Sequence, residues 1–463
     1  MDLADAKADN ALDTRDVDRL LTINDMVYTR GASVSCVVVR QQKQNIVDSG
    51  QGTIFGPGQR IFMTLQTGTD FIDPLNSYLQ FKLGVTGGSA DTTAALFGSG
   101  ALRLFSDSVV TPRAGPELDR CERMNVLNYH LVRGESLELQ EANYNGMFLA
   151  SGNRTKVDEL LETPVATQTS IGRAAAVPGD GAAGEFNFQT VTIPLKWLSP
   201  IFNSAKLMPP HLARGLKLSL TCAPALEALV NPEGIAGAPT YQISDVQCIL
   251  DSHIIADSVL NYLNTAWAST PSGLVYEWKS FVVSPFDTLP AGTTTLNLIL
   301  SRALSMALDA FVCVRESLVA GQDFSDDKLA STLFSENAST QWRIGSTYLP
   351  SQNTVSIGGH YANMLYWMGR MRADAPTGTN YLFFKGGDGD ATTTNYGLGK
   401  FCCVLNRSGI LDQAGQALNN SSSLSCNVSG MTPITALYQG SAILFCRHLR
   451  RAICFIENVV LEM

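Results

Sequence analysis

The sequence predicts an all-β protein of two tandem sandwich or jelly-roll domains behind an N-terminal arm, and three observations carry that reading. Short β-type runs recur from Arg60 to the end of the chain, separated by Gly, Pro, Asn and Asp clusters. The regular alternation of strand and helix that a parallel α/β sheet requires is missing. A motif from mid-chain also returns near the end. Cys248-Ile249-Leu250-Asp251-Ser252-His253-Ile254-Ile255 and Cys454-Phe455-Ile456-Glu457-Asn458-Val459-Val460-Leu461 both read Cys, apolar, apolar, acid, small polar, any, apolar, apolar. A weaker echo links Phe71 to Leu83 with Phe286 to Leu300, each with a Phe near an Asp and a Pro before a strand. The length of 463 residues exceeds one ordinary core and calls for more than one domain.

Taken in order, residues 1–58 read as an arm. It has a short helical pattern at Val17, Leu20, Leu21 and Ile23 and a candidate strand over Ser33 to Arg40. The breaker-rich Gly50, Gly52, Gly56, Pro57 and Gly58 lead into the body. The first domain is expected over 59–257. Its strands are Ile61 to Leu65, Tyr78 to Leu83, Leu102 to Val110, Phe186 to Leu195, Leu216 to Cys222 and Tyr241 to Ala256. Asp73-Pro74 with Asn76 and Ser77 supplies turn chemistry between the first two. Glu117 to Leu131 reads as helix opened by Pro116. A linker helix is expected over 258–272 and a second domain over 273–463. That domain has strands at Val275 to Val283, Thr294 to Leu300, Ala310 to Val314, 400–405 and 442–463, with a helix over Tyr361 to Arg370. Ala373 to Thr394 is rich in Gly, Asp and Thr and is expected to be a long exposed loop.

Charged residues make up 16% of the chain and hydrophobic ones 45%, so much of the surface is uncharged and suited to burial against partner subunits or in a large core. The net charge of −9 gives the chain no overall electrostatic footprint for nucleic acid. Met1 to Asn10 is polar and acidic with no apolar signal core, and no run reaches the length of a membrane span. Synthesis in a cytosol is therefore expected, with sequons such as Asn153 and Asn427 unmodified. The ten cysteines form no C-x-x-C pair and lie mostly in apolar runs such as Phe401-Cys402-Cys403-Val404, so they are expected to be reduced and buried.

No catalytic or cofactor pattern emerges. His130, His211, His253, His360 and His448 are scattered, with no two at metal-pair spacing on a helix. Gly397-Leu398-Gly399-Lys400 lacks the Ser or Thr of a phosphate loop and reads as a turn. Gly386-Gly387-Asp388-Gly389-Asp390 offers clustered carboxylates but not the spacing of a calcium loop, and reads as exposed loop. Arg447, His448, Arg450 and Arg451 form the one basic cluster. It is expected in a solvated turn, with an acidic neighbouring subunit, nucleic acid or a membrane surface as alternatives. Trp342, Tyr348, Tyr366 and Trp367 are expected to pack rather than to line a ligand box. No catalytic, cofactor-binding or metal residue is assigned, and an enzymatic role is not expected.

Three segments, in order, carry a family resemblance. Arg60-Ile61-Phe62-Met63 through Phe71-Ile72-Asp73-Pro74-Leu75-Asn76-Ser77-Tyr78-Leu79-Gln80-Phe81 resembles the opening hairpin of the double jelly-roll major capsid proteins of double-stranded DNA viruses, of the polinton-like virus, virophage and adintovirus type. Ile193-Pro194-Leu195 to Leu207-Met208-Pro209-Pro210, then Gly215-Leu216-Lys217-Leu218, is similar to their strand, helix, proline turn and strand. Gln341-Trp342-Arg343-Ile344-Gly345-Ser346-Thr347-Tyr348-Leu349-Pro350 resembles their Gly-Ser-x-Tyr-x-Pro element. The resemblance spans about 60 to 463 and implies two eight-stranded jelly rolls with short helices and long loops. It further implies homotrimeric capsomers of pseudo-hexagonal outline in an icosahedral shell, with or without an inner membrane. Expected partners are neighbouring capsomers, penton or minor capsid proteins and, through outer loops, a host receptor. Specific nucleic-acid binding and cofactors are not expected. The protein would be made in the host cytoplasm and assembled there or in the nucleus. The alternative from a different class is a carbohydrate- or receptor-binding β-sandwich such as a viral spike or lectin.

Overall fold

A computed structural model describes residues 37–45, 52–65, 68, 70–86, 88–89, 92–93, 100–113, 115–134, 187–204, 206–229, 240–255, 274–300, 302–317, 338–367, 400–405, 416–419, 423–431, 433, 439–454 and 459–462. The first half contains β1 (Val37–Asn45), β2 (Ile54–Phe55), β3 (Arg60–Thr64), β4 (Phe71–Thr86) and a small hairpin of β5 (Gly88–Ser89) and β6 (Thr92–Thr93). It continues through β7 (Phe105–Thr111), β8 (Asp119–Cys121), helix α1 (Met124–Gly134), β9 (Asn187–Pro194), the short helix α2 (Pro210–Ala213), β10 (Lys217–Cys222), the short helix α3 (Ala225–Ala228) and β11 (Thr240–Ile255). The second half runs β12 (Leu274–Leu289), β13 (Thr295–Leu300), β14 (Leu304–Ser317), β15 (Ser339–Ile344), β16 (Thr347–Val355) and helix α4 (Ile357–Trp367). It closes with β17 (Lys400–Val404), β18 (Gln416–Leu418), β19 (Leu424–Ser429), β20 (Gln439–Cys454) and β21 (Val459–Glu462).

The sheet orders expose a duplication. The first half forms sheets β1-β11-β4-β9 and β3-β10-β7-β8, and the second forms β12-β20-β14-β17 and β13-β19-β15-β16. With β2, β5, β6, β18 and β21 set aside, the strands of each half number one to eight along the chain. Both halves then read 1-8-3-6 in one sheet and 2-7-4-5 in the other, all antiparallel. This is the jelly-roll order, in which consecutive early strands alternate between facing sheets and the last strand returns beside the first. Helices α1 and α4 occupy the same place in each half, between the fifth and sixth strands.

Several sequence expectations are corrected here. Val37–Asn45, assigned to the arm, pairs residue for residue with the far half of β11, so the first sandwich begins at its own strand one rather than at residue 59. The physical reason is closure: without β1, strand eight would present a row of unpaired backbone groups. The stretch read as an opening hairpin is not one. β3 pairs with β10 and β4 with β11 and β9, so the two strands lie in different sheets. The Asp73 to Ser77 turn chemistry is real but is spent inside β4. Between Asp73 and Tyr78 the strand holds four residues opposite the single Leu250 of β11. Asp73 Oδ1 accepts the Leu75 and Asn76 amides at 3.0 and 3.4 Å, and the Ser77 hydroxyl donates to the Asp73 carbonyl at 2.6 Å, which closes a bulge. The helix expected from Glu117 begins at Met124, because Asp119–Cys121 is taken up as strand five beside β7. The echoed octapeptides are not equivalent in the structure: the first lies within β11, whereas among the described residues only Cys454 of the second lies on β20. Cys248 sits mid-strand between β1 and β4, whereas Cys454 ends β20 and Val459 onward fold back on it as β21. The weaker echo compares strand three of one half with strands one and two of the other. Residues 258–272 and Ala373 to Thr394 lie outside the described residues.

The core follows the strand period of two. β10 buries Leu218, Leu220 and Cys222 and turns Lys217, Ser219 and Thr221 outward, and β13 buries Leu296, Leu298 and Leu300. Each such leucine contributes ~1.5–3 kcal/mol of burial free energy. Gly345, at φ 56°, opens the two-residue turn that joins β15 to β16 across the Ile344–Thr347 pair, which explains the Gly-Ser of the resemblance. No described helix is long and apolar enough to cross a membrane.

Candidate functional site

The functional geometry lies where the two sandwiches meet. β8 of the first half places Asp119 at the junction, fully buried. Its carboxylate accepts the Ser280 hydroxyl of β12 at 2.5 Å, the Ser199 hydroxyl at 3.2 Å and the Ile201 amide at 3.0 Å, with the Arg450 guanidinium of β20 at 3.5 Å. Burial pushes the Asp119 pKa up, and the bonds from Ser280, Arg450, Ser199 and Ile201 oppose that push. Tyr276 of β12 donates its hydroxyl to the Ile201 carbonyl at 3.0 Å, so the 3-10 turn Pro200–Phe202 is gripped from both sides.

A second polar contact crosses the junction at α3. Glu227 accepts the Asn125 amide of α1 at 2.8 Å and the Arg315 guanidinium of β14 at 3.3 Å, with Arg123 at 3.8 Å. Burial alone would raise the Glu227 pKa, but Arg315, Asn125 and Arg123 outweigh it and hold the carboxyl below its ordinary value. Arg103 also donates to the Glu227 carbonyl at 3.1 Å. Apolar contact accompanies these bonds: the His130 ring of α1 lies edge-on to Phe311 of β14, with centroids 6.2 Å apart. Two clefts of about 340 and 260 Å³ remain along the seam, the larger between Glu117, Arg120 and Glu122 on one side and Arg302, His448 and Arg450 on the other.

The basic cluster read as a solvated turn is corrected by this geometry. Arg447, His448, Arg450 and Arg451 lie within β20, the central strand between β12 and β14. Arg447 bonds Asp309, Arg450 faces Asp119, and Arg451 bonds Glu277 at 2.5 Å. His448 is buried, and desolvation, with help from the Arg450 charge, lowers its pKa to about 4. Arg447, Arg450 and Arg451 hold the fold through these pairs. Trp342 and Trp367 are buried, and Trp367 donates to Asp309 at 2.9 Å, while Tyr348 is 47% exposed beneath Arg343. The five histidines do not gather at one place, and Gly386 to Asp390 lies outside the described residues. All nine described cysteines are buried. Sequence reasoning missed Asp119, Glu227 and Arg315. The one available signal was a charge embedded next to an apolar run, as Arg315 follows Phe311 to Val314.

The junction fixes two like sandwiches into one block.

The fold so defined is a double jelly roll. No family model and no curated protein matches the sequence. Solved structures do match it. The chain resembles the cryo-EM structure of the Sputnik virophage with a TM-score of 0.59 at 10% identity, over 92% of this chain and 88% of that one. It resembles the crystal structure of the mavirus major capsid protein with a TM-score of 0.53 at 11% identity, over 94% and 91% of the two chains. PBCV-1 VP54, as fitted into a reconstruction of Sputnik, gives a TM-score of 0.53 at 12% identity over 92% and 97%.

Proposed function

We propose that the chain is the major capsid protein of an icosahedral virus, and that three copies form a capsomer of six sandwiches with a pseudo-hexagonal outline. The observation that carries this is the exact repetition of strand order in two halves locked by a buried junction, an architecture shared over nine-tenths of the chain with the mavirus major capsid protein. Surface chemistry supports it. Across β13, β19 and β15 the outward rows are Ile299–Ser425–Arg343, Asn297–Asn427–Gln341 and Thr295–Ser429–Ser339, with one charge among nine positions. Phe62 on β3, the corresponding second strand of the first sandwich, is 40% exposed and Ile299 is 46% exposed. Such faces suit burial against a neighbouring copy. Penton and minor capsid proteins, and a receptor at the outer loops, are the further partners of this reading, and the virion is its location.

Light scattering coupled to size exclusion, with negative-stain imaging, tests the proposal. Trimers with a pseudo-hexagonal outline, or closed shells, are expected. Ile299→Asp and Phe62→Asp should leave the far-UV spectrum unchanged and weaken association. A monomer at every concentration, in which neither variant matters, overturns the reading.

A further inference from the structure

Away from the Asp119 and Glu227 contacts, β4 and β11 bring together Asp73, Asp251 and His253, and the fold leaves Asp251 Oδ1 and both ring nitrogens of His253 unused. Asp73 and Asp251 are direct cross-strand partners, and His253 lies two residues along β11 from Asp251, opposite Phe71 and on the same side of the strand as Asp251. One ligand atom from each of the three lies within 4.8 Å of the others. All three are buried, Asp73 at 1%, His253 at 6% and Asp251 at 9% exposure. Neither ring nitrogen of His253 has a hydrogen-bond partner, nor has Asp251 Oδ1. A buried imidazole and carboxylate left unsatisfied cost free energy, and native structures rarely leave them so.

The Asp73 carboxylate is braced from behind, and the Asp251 backbone is anchored beside it. Asp73 is held by the Leu75 and Asn76 amides and by the Asn76 side chain at 2.6 Å. The Asp251 amide donates to the Ser77 hydroxyl at 3.0 Å. Outer hydrogen bonds of this kind orient the ligands of a metal. The four-residue bulge in β4 thus has a use: it sets Asp73 facing Asp251.

We propose that Asp73, Asp251 and His253 form a binding site for one divalent transition-metal ion, best matched by zinc. Two carboxylate oxygens and one imidazole nitrogen make a three-ligand set with a fourth position for water. Imidazole selects zinc-like ions over calcium or magnesium, which take oxygen. On bonds of ~2.0–2.1 Å, tetrahedral ligands sit roughly 3.3 Å apart, a contraction that side-chain rotation can supply. Bound there, the ion would pin β4 to β11 beside the β1 edge, where Val39 pairs with His253 and Gln41 with Asp251.

The test uses the full chain, stripped with a chelator in reducing buffer and titrated with zinc, magnesium or calcium chloride. Zinc is expected to bind at one equivalent per chain and to raise Tm. At a free concentration ~100 times Kd the folded-to-unfolded ratio should rise about 100-fold. Magnesium and calcium should do neither at the same concentration. His253→Gln and Asp251→Asn should each abolish the zinc-dependent shift. Zinc-edge X-ray absorption of the wild-type protein is the companion measurement should a variant fail to fold, with nitrogen and oxygen neighbours expected. Zinc without effect on Tm, a shift that survives both substitutions, or sulfur in the first coordination sphere overturns the proposal. A cluster whose stability responds to pH but not to zinc overturns it too, and identifies a plain histidine–aspartate pair.

Discussion

Replacing Asp119 by Ala removes the acceptor on which four groups from both sandwiches converge. Arg450, whose side chain is 15% exposed, loses its carboxylate partner, and the Ile201 amide loses its bond inside the junction. The hydroxyls of Ser280 and Ser199 can turn to other acceptors, so they add less. Breaking a buried ion pair from one side costs ~3–5 kcal/mol, and an orphaned amide ~1–3 kcal/mol. Against this stands relief from burying the carboxylate, the same desolvation that raises the Asp119 pKa. The expected net loss is ~3–5 kcal/mol, read by equilibrium urea unfolding of the purified chain. Ser280→Ala leaves the carboxylate its other donors and should cost ~1 kcal/mol. The two substitutions should be non-additive in a double-mutant cycle by ~0.5 kcal/mol or more. Asp119→Leu combined with Arg450→Met, which replaces both charges with apolar volume, should recover part of the loss. An Asp119→Ala variant within ~1 kcal/mol of wild type would refute the reasoning, because a buried charge cannot be stranded that cheaply.

Acid stability should depend on His448. Its pKa of about 4 in the fold, against an ordinary 6.5, means that the unfolded chain takes up the proton first, so stability is present above pH 6.5 and is lost as pH falls towards 4. The full effect is about 3 kcal/mol, and His448→Gln should flatten the urea midpoint over that window relative to wild type; an unchanged slope would count against a buried neutral imidazole. The cysteines should resist alkylation in the native state. Cys222 and Cys454 are buried and pushed up to about 12, so iodoacetamide at pH 8 should label the nine described thiols only after urea is added. Rapid native labelling at any of them would be inconsistent with the packing.

What the sequence disclosed follows what is local. The alternation in Leu216 to Cys222 and Thr294 to Leu300 announced β10 and β13, because one buried face imprints a period of two. Glu117 to Leu131 misled because helical composition there competes with the demand of β7 for a fifth strand at Asp119–Cys121, and tertiary pairing wins over propensity. The Asp73-Pro74 turn signal was genuine, but a turn signal does not distinguish a hairpin from a bulge; only the partner strand β11 decides. The duplication was inferred from echoes that are not equivalent in the structure. It survives because strand order is conserved by the physics of closing a sandwich, whereas short matches of Cys, acid and apolar residues are not. The junction was illegible for a different reason. Asp119, Ser280 and Arg450 lie far apart in the chain, and nothing in their flanks marks them as neighbours.

The junction between β8 and the β12–β20 pair also bears on how the two halves can diverge. Two separate identical sandwiches meeting about a twofold axis must offer the same patch to each other, so every substitution is felt twice. Here a carboxylate from strand five of one half meets a hydroxyl and a guanidinium from strands one and eight of the other, an unlike contact that self-complementarity does not constrain. Both halves belong to one polypeptide, and covalent linkage raises the effective concentration of each beside the other. A polar contact too weak to join two free domains is then enough to dock them. Each half is thereby free to change its outward surface alone, and one chain can present two different sides.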